Sequence, residues 1–88
     1  MAQAPPRVIW SEESFHQFQT LSFSVRQAIL KRIDFVRAYP QMYQLELDGR
    51  WAGLRRFIAQ PWVVFYGYWQ AEYAVYVEAI VPTRSDRR

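Results

Sequence analysis

The sequence predicts an α+β domain in which a two-helix hairpin packs on an antiparallel sheet, with the element order β-α-α-β-β-β. Residues 11–38 place apolar side chains at helical spacing, whereas residues 54–81 are rich in β-branched and aromatic residues. The length of 88 residues implies one domain, because so short a chain cannot bury two separate cores. We expect its core over 7–86 and flexible ends at 1–6 and 87–88.

The N-terminal part predicts a short strand over 8–10 and two helices. Ser11 is an N-cap candidate for a first helix over 11–22, whose apolar stripe comprises Phe15, Phe18 and Leu21. Ser24 is the corresponding candidate for a second helix over 24–38, which should end before Pro40. The apolar stripe of this second helix comprises Val25, Ala28, Ile29, Ile33 and Val36.

The C-terminal part predicts three strands, over 54–59, 62–69 and 73–81. The connections between them are short enough for hairpins, so the three strands should form an antiparallel meander. The first strand of the chain then lies at an edge of the sheet or beside the last strand. The segment 41–53 has no regular period and is predicted to be a loop.

The net charge of +3 is unevenly distributed. Residues 1–49 hold five basic and five acidic side chains, whereas residues 50–88 hold six arginines against three acidic side chains. Ten of the eleven basic residues are arginine, whose planar guanidinium matches phosphate and carboxylate groups. An anionic partner is the hypothesis that follows.

Several classes of chemistry are disfavoured by composition. The chain has no cysteine and one histidine, His16, so we expect neither a metal site nor a cofactor. No segment has the apolar length of a signal peptide or a membrane span, which favours a cytoplasmic protein without a membrane partner.

Six short segments follow one another along residues 7–86: VIWS at 8–11, YP at 39–40, LRRF at 54–57, WVVFY at 62–66, VYVEAIV at 75–81 and a basic segment at 83–86. In this order they resemble the RelE/ParE superfamily of bacterial toxins. The resemblance implies the toxin component of a type II toxin–antitoxin system. The partner would be a cognate acidic antitoxin that folds around the toxin as a hetero-oligomer.

In the RNA-cleaving members of this family, basic side chains on the sheet hold a phosphate without a metal. The resemblance therefore implies a growth-inhibiting mRNA interferase that acts with the ribosome on messenger RNA. Its catalytic residues would be Arg55, Arg56 and Arg84, and Arg50, Arg87 and Arg88 would bind RNA. Two departures count against cleavage. Val63 stands where the family often has an arginine, and no tyrosine or histidine follows Arg84.

Several alternatives stay open. One is a ParE-like protein that inhibits DNA gyrase without catalysis, and another is a catalytically degenerate member that binds only its antitoxin. Strand alternation allows only one of Arg55 and Arg56 to share the open side of the sheet, and the sequence leaves open which. Both could also be solvated charges that protect a strand edge from aggregation. Glu78 is expected to pair with a neighbouring arginine.

Overall fold

The computed structural model describes residues 4–84, and its elements follow the predicted order. They are β1 (Arg7–Trp10), α1 (Glu12–Gln19), α2 (Phe23–Ala38), β2 (Arg55–Ala59), β3 (Trp62–Trp69) and β4 (Ala74–Pro82). A single turn of 3₁₀ helix, Gln70–Glu72, connects β3 to β4. The β-α-α-β-β-β arrangement is confirmed. The predicted roles of Arg87 and Arg88 lie outside the described residues.

The four strands form one sheet in the order β1-β4-β3-β2. The strands β2, β3 and β4 are the predicted antiparallel meander. The sequence placed β1 either at an edge of the sheet or beside the last strand, and both hold because β1 is the edge strand next to β4. It runs parallel to β4, with Trp10 opposite Val77, and the sheet is therefore mixed rather than wholly antiparallel.

Serine side chains cap both helices, but one of the two predicted caps is wrong. Ser11 Oγ accepts from Ser14 N at 3.0 Å, as expected for the start of α1. In α2 the cap is Ser22, whose Oγ accepts from Val25 N at 3.3 Å, and Ser24 lies within the first turn. α1 consequently ends at Gln19, earlier than predicted, and α2 ends before Pro40 as predicted.

The main core lies between the helices and one face of the sheet. Its buried members are Leu21, Ile29, Ile33 and Val36 from the helical part and Phe57, Val64, Tyr66, Val75 and Val77 from the strands, among others. The predicted stripe of α2 is correct at its three buried positions, whereas Ala28 is exposed.

The predicted stripe of α1 is wrong at Phe15, which is 45% exposed. The buried residue of α1 is Ser14, whose hydroxyl donates to Val77 O at 2.9 Å. The small side chain lets the helix approach β4 closely, and the hydrogen bond offsets the cost of burying its oxygen.

The second face of the sheet, here called the open face, points away from the main core. Val63, Phe65 and Ala79 are buried on it, because Trp51, Leu54 and Val81 pack against them. Trp51 and Leu54 belong to the long segment between α2 and β2, so this loop folds across the middle of the open face. No helix within residues 4–84 is long and apolar enough to cross a membrane.

Candidate functional site on the open sheet face

The pairing of β2 with β3 decides which arginine reaches the open face. Arg55 is opposite Tyr66, a member of the main core, and Arg56 is opposite Phe65, a member of the open-face cluster. Because side chains alternate along a strand, Arg56 lies on the open face and Arg55 on the helix side. The two predicted catalytic arginines of β2 are therefore not brought together.

Arg55 holds the loop that precedes β2. Its Nη1 donates to Tyr43 O at 2.6 Å and to Gln41 O at 3.4 Å. A half-buried guanidinium that satisfies loop carbonyls gives the backbone there a fixed course. Arg55 thus supports the loop that crosses the open face rather than the face itself.

Arg56 has a carboxylate beside it. Its Nε lies 3.3 Å from Glu46 Oε2, and the two side chains are 40% and 27% exposed. Glu46 is fixed by backbone hydrogen bonds, since its N–H donates to Leu54 O at 2.7 Å and its carbonyl accepts from Gly53 N at 2.9 Å. The sequence predicted Glu78 as the partner of an arginine, whereas the carboxylate beside Arg56 is Glu46. Glu46 belongs to the loop before β2, whose position the sequence period does not predict.

Arg50 stands at the top of a column of stacked groups. Its guanidinium carbon lies 4.8 Å from the Trp51 ring centroid, and Trp51 stacks on Phe65 with centroids 4.3 Å apart and planes at 13°. Among residues 4–84, Arg50 has no ion-pair partner. The column therefore presents an exposed cation, held by a cation–π contact, above the middle of the open face.

Val63 contributes no charge to this face and is buried within its apolar cluster.

Arg84 is exposed beyond the end of β4. Arg56 on β2 lies opposite Phe65 on β3, and Phe65 lies opposite Ala79 on β4. β4 ends at Pro82, three residues after Ala79. Two strand spacings across and three residues along the sheet place Pro82 roughly 14 Å from Arg56. Arg84 therefore follows the end of β4 and does not belong to the row of Arg56, and a phosphate shared by these two arginines stays a prediction.

Two tyrosines have raised pKa values. Burial raises the pKa of Tyr66 to about 12, against a smaller lowering by the nearby Arg55, and the phenol donates to Pro40 O at 3.0 Å. A hydrogen bond to Glu72 Oε1, 2.6 Å long, raises the pKa of Tyr76, which lies beside the exposed Trp69. Both phenols are therefore protonated at neutral pH.

Residues 4–84 contain no group of three or more His, Cys, Asp or Glu side chains that could hold a metal ion. The polar groups that the open face offers are instead Arg50, Arg56 and Glu46. Such a set can bind an anion and hold a proton acceptor close to it.

No protein-family model matches the sequence, and no curated protein is similar to it in sequence. Solved structures are similar in fold. The isolated RelE toxin of E. coli superposes with a TM-score of 0.75 at 15% identity, over 92% of this chain and 93% of that one. The archaeal RelE–RelB complex from Pyrococcus horikoshii gives 0.72 at 17% identity, over 90% and 96%.

The toxin–antitoxin complex RelBE2 from Mycobacterium tuberculosis gives a TM-score of 0.76 at 12% identity, over 90% of this chain and 99% of that one. These similarities extend over nearly the whole chain, and they agree with the order of elements expected from the sequence. The protein therefore has the fold of the RelE toxins.

Proposed function

We propose that this protein is the toxin of a type II toxin–antitoxin pair and that it stops translation by cleaving messenger RNA at the ribosome. The observation that carries the proposal is the column of Arg50, Trp51 and Phe65 on the open face of a RelE-like fold. A fixed cation above stacked rings suits single-stranded RNA, which offers phosphates and unstacked bases. This role places the protein in the cytoplasm.

The proposed chemistry is attack of a ribose 2′-oxygen on its adjacent phosphorus, which breaks the bond to the 5′-oxygen of the next nucleotide. The products are a 2′,3′-cyclic phosphate and a 5′-hydroxyl. Arg50 and Arg56 offset the negative charge that builds on the phosphate oxygens, and no metal is needed for this. Glu46, 3.3 Å from Arg56, accepts the 2′-hydroxyl proton in this proposal, and the departing 5′-oxygen takes a proton from water.

The remaining arginines have separate roles in this proposal. Arg55 acts indirectly, because its hydrogen bonds hold the loop that carries Glu46 and Trp51. Arg84, exposed at the far end of β4, contacts a neighbouring phosphate rather than the one at Arg56. Arg87 and Arg88 add positive charge for RNA binding, as the sequence resemblance implies.

The proposed partner is an acidic antitoxin. Two of the similar structures are complexes of a RelE-type toxin with its antitoxin. Helix α2 carries four basic side chains against one acidic side chain, and Phe23, Leu30 and Phe35 are exposed along it. A basic surface with exposed apolar side chains suits a partner segment that is both acidic and apolar.

Inhibition of DNA gyrase is the second candidate, and one observation favours it. Val63 is buried in an apolar cluster at the place where RNA-cleaving relatives often have an arginine. An inhibitor that only binds its target has no need of that charge. The chain would then resemble ParE in function as well as in fold class.

Two assays on the purified chain separate these functions: cleavage of ribosome-bound messenger RNA and supercoiling by gyrase. We expect cleavage, its loss in the Arg50→Ala and Arg56→Ala double variant, and unchanged supercoiling. Lys31→Ala, which removes an exposed charge from α2, is the control and should cleave normally. Inhibited supercoiling without cleavage would overturn the RNA proposal in favour of gyrase.

A further inference from the structure

Tyr43 is attached to three parts of the molecule at once. Its ring packs against the main core, with its centroid 5.7 Å from that of Phe57 and 6.5 Å from that of Tyr66. Its hydroxyl accepts a hydrogen bond of 2.6 Å from Arg32 Nη1 on α2. Its carbonyl accepts a second bond of 2.6 Å from Arg55 Nη1 on β2. Tyr43 therefore joins the outer surface of α2 to the sheet.

The loop that crosses the open face continues directly from Tyr43. Two residues later Leu45 pairs with Arg55 in an isolated β-bridge. The next residue is Glu46, whose backbone hydrogen bonds close the turn that carries Trp51. A segment without regular secondary structure has much conformational freedom to lose, so the few points at which it is attached determine its position. A displacement of Tyr43 would therefore reach Glu46 within three residues.

Arg32 is the surface end of this connection. It lies three residues after Ile29 and four before Val36, at the margin of the buried stripe of α2. Its guanidinium pairs with no carboxylate among residues 4–84, and the polar group that it contacts there is the phenol of Tyr43. Arg32 is exposed on the helix side of the sheet, whereas the loop that it helps to hold lies across the opposite side.

We propose that Tyr43 is a positioning residue for the open face, and that its hydrogen bond with Arg32 holds Glu46 and Trp51 in place from the opposite side of the sheet. The inference rests on the proposed function, because it assigns the effect to the cleavage step in which Glu46 accepts a proton. Neither Tyr43 nor Arg32 needs to contact the RNA for this. A catalytic group displaced by about 1 Å can slow a reaction about 100-fold, so loss of one exposed hydrogen bond is enough to reduce cleavage.

The test compares Tyr43→Phe, which removes only the hydroxyl, with Arg32→Ala and with the double variant. Lys31→Ala is the matched control, because it removes the neighbouring exposed charge of α2. One measurement is hydrogen exchange at the amides of Glu46 and Gly53, whose backbone hydrogen bonds close the loop. The other is the rate of messenger RNA cleavage at saturating ribosome concentration.

Tyr43→Phe and Arg32→Ala should each speed exchange at both amides several-fold and lower the cleavage rate about tenfold. The double variant should lose no more than either single variant, because both changes break the same hydrogen bond. Exchange in the strands of the main core, and Tm, should stay near the wild-type values, because the broken bond is exposed. Lys31→Ala should match the wild type in exchange and in cleavage.

Unchanged exchange in Tyr43→Phe, in a protein that cleaves normally, would overturn the positioning role and leave the proposed function standing. Faster exchange without slower cleavage would overturn that role as well. Additive losses in the double variant would show that the two side chains act separately, which contradicts the shared bond. Absence of cleavage by the folded wild-type chain would overturn the proposed function, and with it the role of Tyr43 in cleavage, even if exchange at the loop responds as expected.

Discussion

Replacement of the two adjacent arginines of β2 should have opposite consequences for stability and for activity. Arg55 donates hydrogen bonds to two loop carbonyls from a half-buried position, and Arg56 forms an ion pair with Glu46 whose two side chains are 40% and 27% exposed. Arg55→Ala therefore removes support from the fold, whereas Arg56→Ala removes a group from the open face. The two variants delete the same side chain one residue apart, so each is the control for the other.

The magnitudes follow from the type of interaction. A hydrogen bond from a charged donor to a buried or half-buried acceptor contributes about 1.5–3 kcal/mol, and the bond from Arg55 to Tyr43 O is 2.6 Å long. A partly exposed ion pair such as Arg56–Glu46 contributes on the order of 1 kcal/mol. In a domain of this size 1 kcal/mol shifts Tm by about 4–8 °C, so Arg55→Ala should lower Tm by roughly 6–24 °C.

The assay is thermal unfolding followed by circular dichroism at 222 nm, combined with growth arrest on induction at a temperature where both variants are folded. Arg56→Ala should melt within a few degrees of the wild type and lose most toxicity. Arg55→Lys keeps the charge but has a different donor geometry, so its Tm should fall between those of the wild type and Arg55→Ala. A Tm loss in Arg56→Ala as large as that in Arg55→Ala would refute the assignment of the two side chains to opposite faces.

Two further predictions concern the main core. Ile29→Ala should lower the free energy of unfolding in urea by about 2–5 kcal/mol, because Ile29 is fully buried. Leu30→Ala, at a position 40% exposed, should lower it by about 1 kcal/mol or less. Equal losses would mean that the stripe of α2 facing the core lies elsewhere. The pKa of Tyr66 is raised from 10.0 to about 12, so the folded state holds the phenol proton more tightly than the unfolded state. The contribution of the Tyr66 phenol to the free energy of unfolding is fully present below pH 10, and on the order of 2 kcal/mol of it should be lost as the pH rises from 10 to 12. Tyr66→Phe has no phenol to ionise, so it should lose less stability over that range. An equal loss in both proteins would contradict the raised pKa of Tyr66.

The sequence predicted the order of elements because local patterns determine it. The period of α2 and the β-branched runs of β2, β3 and β4 each appear within a few residues of sequence. The stripe of α1 was less well predicted for a geometric reason. Phe15, Phe18 and Leu21 repeat every three residues, and each step falls about 60° short of a full turn. The stripe therefore winds around the helix, and Phe15 ends on the exposed side, near the edge of the Trp10 ring.

The candidate site was predicted only in part, because it depends on contacts between distant segments. Alternation showed that Arg55 and Arg56 face opposite sides, but the side of each depends on the register of β2 with β3. Glu46 and Trp51 lie in a loop without period, and only its backbone hydrogen bonds place them on the open face. The one local sequence feature that indicates the stacked column is that Trp51 directly follows Arg50.

Growth arrest on induction shows whether this chain is a toxin that acts through its open face. We expect the wild-type chain to stop growth and coexpression of a small acidic protein encoded beside it to restore growth. The Arg50→Ala and Arg56→Ala double variant should be harmless while its Tm stays within a few degrees of the wild type, because both charges are exposed or half-exposed. Free growth of cells that express the folded wild-type chain, or full arrest by the double variant, would contradict a toxin that acts through its open face.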